Sequence, residues 1–306
     1  MNLDHLDEEF QPLALKSDKE RIERIQSLKW IGYPRANKIL QRMEWLFGHA
    51  RTDRMPNMLL VGESMSGKTS IAKRMLALHP AQIGRSDQTD HRPIIYLQLL
   101  GCSTPKEFLQ TVLESVNAFY PPSAKLPRLM GMLEKIIPAM GTKLLIIDEL
   151  DHLVSGTRKA QRDLRDQIKL LGNELQLPIV AIGTMQSRSA FETDQQLSNR
   201  FQPFELPSWR YDKSDQAEED LQSLEGILQL WETTCPLRMR SQIVNDDCIE
   251  KIHEDTLGYM GYMMRYLIDA SEHAIKTGQE KITIDTFSEM TFYFENAVKN
   301  HRREAV

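Results

Sequence analysis

The sequence predicts an α/β fold, a parallel five-stranded sheet covered by helices, followed by a small all-α domain. Three observations predict it. Short apolar runs at 58–61, 94–97, 144–147 and 179–182 are separated by helical stretches; unbroken apolar character means that both sheet faces are covered, and helical crossovers make the strands parallel. The run Gly62-Glu63-Ser64-Met65-Ser66-Gly67-Lys68-Thr69 stands directly after the first of these strands and opens a helix, the order that a phosphate-binding loop requires. After Pro207 the strand signals nearly stop and amphipathic patterns take over.

The elements follow in chain order. Residues 1–16 are acidic, with Phe10, Leu13 and Leu15 as apolar anchors, and read as a mobile arm. Ser17 and Glu20 form a capping box that opens a helix through residue 28. The segment Trp30-Ile31-Gly32-Tyr33-Pro34 leads to a second helix that buries Ile39, Leu40, Met43, Leu46 and Phe47. The sheet runs from residue 57 and closes with a fifth strand at 204–206. Helices are expected near 214–230, 246–256, 261–277 and 285–300. The resulting division is an arm at 1–16, an α/β nucleotide-binding domain at 17–207, a helical lid at 208–285, and a C-terminal helix and tail at 286–306.

Composition narrows the function classes. The chain has 306 residues and a net charge of -5, so no global basic field points to nucleic acid and any such contact is local. Cys102, Cys235 and Cys248 lie far apart, which suggests neither a zinc site nor a disulfide framework and fits a reducing cytosol. No apolar run has the length of a signal peptide or a membrane span.

The loop carries the chemistry. Its glycines let successive N–H groups wrap an anion, and the helix starting near Lys68 turns its positive end to the same phosphates. Gly62, Glu63, Ser64, Met65, Ser66, Gly67 and Ser70 supply the wall. Lys68 is expected on the β- and γ-phosphates of ATP and Thr69 on Mg2+. The strand Leu144 to Ile147 ends in Asp148-Glu149, which places Asp148 as a metal ligand and Glu149 beside an attacking water. Thr184, at the end of the next strand, is expected within reach of the γ-phosphate. Arg200, just before the last strand, reads either as a guanidinium aimed at a neighbouring subunit's nucleotide or as an ordinary surface ion pair.

Together these residues resemble an AAA+ P-loop ATPase. Further stretches resemble one branch, the TniB and TnsC transposition ATPases: Trp30-Ile31-Gly32-Tyr33-Pro34-Arg35, Arg54-Met55-Pro56-Asn57, the run from Asp194 to Arg200-Phe201, Leu206-Pro207-Ser208-Trp209, and Pro236-Leu237-Arg238 with Ser241. The likeness spans about 20–285. It implies a bacterial, cytoplasmic ATPase that assembles as a homo-oligomeric ring or helical filament on duplex DNA and recruits a transposase to a site chosen by a target-selector protein. It also implies that Trp30, Ile31 and Tyr33 flank the adenine; for Trp30 and Tyr33 plain core packing is the alternative, and the two are compatible. Arg200 would act in trans. Arg265 would be a second sensor from the lid, at a spacing that departs from the usual AAA+ interval.

Two sets of basic residues are candidates for DNA. Arg158, Arg162, Arg165 and Lys169 share one helix face, while Ala160, Leu164, Ile168, Leu171 and Leu175 anchor another. Asp163 and Asp166 dilute the stripe, which reads equally as a solvated or inter-subunit face. The second set is the segment Ser103-Thr104-Pro105-Lys106 with Lys125 and Arg128, whose contacts would be to phosphates and independent of sequence. Competing readings of the whole chain are a replication initiator or helicase loader, which a recognisable DNA-reading helix-turn-helix would favour, and a nucleotide-regulated adaptor with little turnover.

Overall fold

The computed structural model describes residues 2–27, 30–84, 90–102, 104–153, 157–192, 195–211, 215–290, 292 and 294–304. The expected helix end at residue 28, Ser103, Asp194 and the helix start at residue 214 lie outside the described residues. In chain order come α1 (Gln11–Ala14), α2 (Asp18–Gln26), α3 (Pro34–Phe47), β1 (Asn57–Val61) and α4 (Lys68–Leu78). Next are β2 (Ile94–Gln98), α5 (Pro105–Ser115), α6 (Leu126–Ala139), β3 (Leu144–Asp148), a 3-10 turn (Leu150–Leu153), α7 (Arg158–Leu175) and β4 (Ile179–Gly183). They are followed by α8 (Met185–Glu192), α9 (Gln195–Ser198), β5 (Phe201–Glu205), α10 (Asp215–Thr234), α11 (Asp246–Thr256), α12 (Met260–Lys276), α13 (Ile284–Glu289) and α14 (Glu295–Glu304). No helix among the described residues is long and apolar enough to cross a membrane.

The chain divides into two compact units, Arg35–Ser64 with Lys68–Leu206, and Met1–Pro34 with Met65–Gly67 and Pro207–Val306. The first holds the sheet, in the order β2-β3-β4-β1-β5. All four pairings are parallel. Strands β1, β3 and β4 are buried at every residue, as expected for central strands covered on both faces. One core joins the sheet to α5, α6 and α7 through Phe108, Leu133, Leu164, Ile168 and Leu171. The fifth strand begins at Phe201, earlier than the run 204–206 suggests. Its burial alternates poorly because it is an edge, where Pro203 costs no ladder bond. Phe201 is nonetheless buried against Phe191, with ring centroids 5.1 Å apart.

In the second unit α12 is the spine. Twelve of its residues are buried, which fits a helix enclosed on most sides rather than an amphipathic surface helix. Trp231 of α10 is fully buried, and its indole N–H donates to Ser271 Oγ at 3.2 Å. The opening segment is packed rather than free, which corrects the reading of a mobile arm. Leu3, Leu6 and Ala14 form a small buried cluster, and the Asp7 N–H donates to the Thr233 carbonyl at 3.0 Å. Leu15, an expected anchor, is exposed. The capping box of α2 forms as expected, yet α2 belongs with the helical unit. The reason is Arg21, whose side chain is fully buried and grips both oxygens of Glu280 at 2.7 Å. Arg238 shares that carboxylate at 3.0 Å and donates to the Ala14 carbonyl. The single helix expected at 285–300 is two, because Met290 leaves the helical region at the end of α13.

Candidate nucleotide site

In a parallel sheet every strand delivers its C-terminal end to the same edge, and the loop, the acidic pair and Thr184 all follow such ends. Gly62 continues from β1 and donates its N–H to the Gly183 carbonyl at 3.3 Å, tying the loop to the neighbouring strand β4. Further on the backbone turns left-handed at Met65 (φ 62°) and Gly67 (φ 102°). The second value suits glycine alone. Lys68 opens α4, and its ammonium donates to the Gly62 and Glu63 carbonyls at 2.7 Å each. Burial pulls its pKa down, against the opposing pull of Asp148, Asp151, Glu149 and Glu63. The tip Met65–Gly67 groups with the helical unit, where the Gly261 N–H donates to the Met65 carbonyl at 2.7 Å. A Cβ on Gly261 would lie 2.8 Å from that oxygen, so only glycine allows the approach.

The acidic end is tightly bonded. Asp148 is buried at 2% exposure. Its Oδ2 accepts from Thr69 Oγ1 and from the Tyr96 hydroxyl, both at 2.9 Å, while Oδ1 accepts the Glu149 N–H at 2.8 Å. Burial and the Asp148 charge push the Tyr96 phenol far above its ordinary range. Glu149 is half-buried at φ 61°, a left-handed conformation that costs a non-glycine residue energy and is common at functional sites.

Thr184 stands one strand over from Asp148, and its hydroxyl is already committed. Both its N–H, at 3.0 Å, and its Oγ1 donate to Asp151 Oδ1, which also accepts from Ser187 Oγ at 2.6 Å. Burial raises the Asp151 pKa, but the bonds from Ser187 and Thr184 and the Lys68 charge outweigh it and hold the carboxyl below its ordinary value. Sequence reasoning missed Asp151 and Tyr96. The signals were present: a third carboxylate on the turn after Asp148-Glu149, and one hydroxyl in the apolar strand Ile94–Gln98, two residues before the Gln98 that pairs in register with Asp148.

Arg200 precedes β5 at the opposite, N-terminal edge of the sheet. Its Nη1 donates to Asn173 Oδ1 at 2.6 Å, and its carbonyl accepts the Asn57 N–H at 3.1 Å. Ile31 and Tyr33 are buried within the helical unit, with the Tyr33 ring 5.2 Å from that of Trp209, and Trp30 is half-buried. Arg265 pairs with the buried Asp269 at 3.0 Å. Of the basic residues, Arg158 and Arg162 are exposed on α7, with Arg165 half-buried and Lys169 paired to Asp166 at 2.7 Å. Lys106 donates to the Pro122 carbonyl at 3.1 Å, which brings it beside the segment leading to the exposed Lys125 and Arg128.

Known proteins match this arrangement in fold. The chain is similar to the Aeropyrum pernix ORC2 protein, described in ADPNP–ADP complexes, with TM-score 0.60 and 17% identity over 92% of this chain and 74% of that one. It is similar to the Aeropyrum pernix ORC1 protein in complex with DNA, with TM-score 0.59 and 17% identity over 94% and 71%. A third likeness is to Drosophila ORC bound to DNA, with TM-score 0.55 and 14% identity over 90% and 65%. At such identities the likeness establishes the fold alone, the AAA+ fold. No curated protein sequence matches the chain. The family model described as "Bacterial TniB protein" matches residues 21–211, well over half of the chain. The chain belongs to the TniB family.

Proposed function

We propose that this chain is a Mg2+-dependent ATPase of the bacterial cytoplasm that oligomerises on duplex DNA, couples target selection to transposase recruitment, and disassembles on ATP hydrolysis. The observation that carries the reading is the convergence of the Lys68 ammonium, the Thr69 hydroxyl and the Asp148 carboxylate at one sheet edge. The fit to a triphosphate is good. A left-handed Gly67 opens the loop backbone to an anion, and a hydroxyl with a carboxylate oxygen 2.9 Å away is the hard-oxygen pair that Mg2+ takes alongside substrate phosphates.

In this reading Lys68 and the walls Gly62 to Ser70 hold the phosphates. Thr69 and Asp148 hold Mg2+, which neutralises charge on them. Glu149 orients water, Thr184 senses the terminal phosphate, and Arg200 reaches the nucleotide of the next subunit. Trp30, Ile31 and Tyr33 border the base, and Arg265 is the lid's contact. Duplex DNA is held by basic surfaces such as Lys106, Lys125 and Arg128 or Arg158, Arg162 and Arg165. TniB membership and the DNA complexes of similar folds support the role on DNA. A second reading is a replication initiator or helicase loader; the shared fold with the ORC proteins is compatible with it.

Lys68→Ala should abolish ATP-dependent assemblies on DNA seen by electron microscopy, and Glu149→Gln should trap them. Normal assembly by the first variant, or rapid loss of assemblies by the second in excess ATP, overturns the reading. Capture of a helicase rather than a transposase by the trapped assemblies selects the second reading.

A further inference from the structure

The α/β unit carries a cleft of about 820 Å³ lined by Arg42, His49, Arg54, Asn57, Arg200 and Gln202, among others. No aspartate or glutamate lines it among the described residues, in a chain whose net charge is -5. Three guanidiniums without a facing carboxylate repel one another and attract an anion.

Their engagement differs. Arg200 donates to Asn173, and Arg42 lies over the Trp45 ring at 4.0 Å and donates to Gln202 at 2.9 Å. The Arg42 Nε is buried without an acceptor. Arg54 is exposed, and its guanidinium has no hydrogen-bond or ion-pair partner among the described residues. The sequence holds these groups rigidly: Asn57 bonds Arg200 through its N–H and ties β4 through its side chain, which accepts the Ile179 N–H at 2.8 Å.

The cleft's position says where the anion comes from. Asn57 starts β1 and Phe201 starts β5, whereas the phosphate loop follows the other end of β1. A strand of this length separates the two by about 16 Å. The chain's own nucleotide therefore does not fill the cleft. A head-to-tail contact that set the loop edge of one sheet against the opposite edge of the next would be a heterologous interface, the kind that closes a ring or extends a filament.

We propose that this cleft binds the terminal phosphates of a nucleoside triphosphate held by a second copy of the chain, with Arg54 as a second guanidinium in trans beside Arg200 and Arg42 as a positioning residue behind them. The proposal rests on the reading that Arg200 acts in trans. Two planar forks bind a phosphoryl group's equatorial oxygens from two sides, which one arginine cannot do.

The test is complementation in ATP hydrolysis measured with duplex DNA. Arg54→Ala alone should lose at least ~10-fold of the rate, keep its affinity for a fluorescent ADP analogue, and melt as the parent does. Mixed with Glu149→Gln it should regain activity, because roughly one quarter of random head-to-tail interfaces then join an intact Glu149 to an intact Arg54. Arg54→Lys should fall between, and Arg54→Gln replaces the alanine variant if that one fails to fold. Arg200→Ala mixed with Glu149→Gln is the parallel arm. Rescue of Arg200→Ala but not of Arg54→Ala overturns this inference and leaves the reading beneath it standing; failure of both mixtures overturns both. An Arg54→Ala protein that hydrolyses normally but releases duplex DNA at lower salt makes the cleft a nucleic-acid phosphate site and likewise overturns the proposal.

Discussion

Replacing Asp151 by Ala tests how the site's polar groups are held. Three donors converge on one oxygen: the Thr184 N–H, the Thr184 hydroxyl and the Ser187 hydroxyl. Each charge-assisted bond is worth about 1.5–3 kcal/mol when made, but Asp151 and Thr184 are only half-buried, so water recovers part of the loss. Ser187 is 1% exposed and has no such recourse; a buried hydroxyl left unpaired costs about 1–3 kcal/mol. The variant should thus lose about 2–4 kcal/mol, which for a unit of this size lowers Tm by roughly 5–15 °C. Asp151→Asn keeps the accepting oxygen and gives up only the charge, so it should lose about 1 kcal/mol. Both values come from thermal melts, with the double variant Asp151→Ala/Ser187→Ala reporting the coupling. ATP hydrolysis should fall in the alanine variant while ADP affinity holds, because Thr184 loses its orientation. A melt within ~2 °C of the parent together with unchanged hydrolysis would show that the carboxylate holds nothing.

Two further outcomes are expected. Glu280→Ala leaves the fully buried Arg21 guanidinium without its main counter-charge, so chemical denaturation should report a loss of about 3–5 kcal/mol; replacing Arg21 and Glu280 together by Met should recover much of it, and equal losses in both variants would refute the pairing. Stability should also fall in alkali: burial pushes the Cys235 thiol up to about 12 and raises Cys102 and Cys248, so this stability is complete below the unfolded thiol range of about 8.5 and is lost as pH climbs through the folded values. Melts between about pH 8 and 11 should therefore decline in Tm, less steeply in Cys235→Ala; a slope identical to the parent's removes Cys235 from the account.

The α/β frame was legible because its signals are local. Buried parallel strands read as continuous apolar runs, and the phosphate loop needs fixed residues at fixed spacing, so β1, β3, β4 and the residues from Gly62 to Thr69 could be placed without knowing the fold. Strand β5 was read short because Gln202 and Pro203 look unlike a strand; only the edge position excuses them. The arm was misread for a related reason. Its two buried leucines, Leu3 and Leu6, sit among acids, and Arg238, which donates to the Ala14 and Lys16 carbonyls, is itself held by Glu280, 42 residues further on. No local pattern encodes such a closure. The bonds from Tyr96 to Asp148 and from Thr184 to Asp151 were hidden likewise, since strand register and the turn after β3 decide them.

Charge balance connects the two edges of the sheet. Lys68 stands among Asp148, Glu149, Asp151 and Glu63, and a triphosphate entering there adds further negative charge. Mg2+ and a single ammonium would leave that sum unbalanced, and charge imbalance costs more the less water screens it. A group of cations with no carboxylate among the residues lining their cleft lies elsewhere, at the strand starts around Arg54 and Arg200, too far along the sheet to reach their own loop. Each copy thus has an excess of carboxylate at one edge and of guanidinium at the other, and the bound phosphates sharpen the first while leaving the second untouched. If copies meet head to tail, nucleotide strengthens the contact and loss of its terminal phosphate weakens it, without any change of shape within a subunit. Assembly that is nucleotide-dependent but indifferent to salt would contradict this electrostatic origin, because interactions between partly exposed charges are screened within about 10 Å at 0.1 M salt.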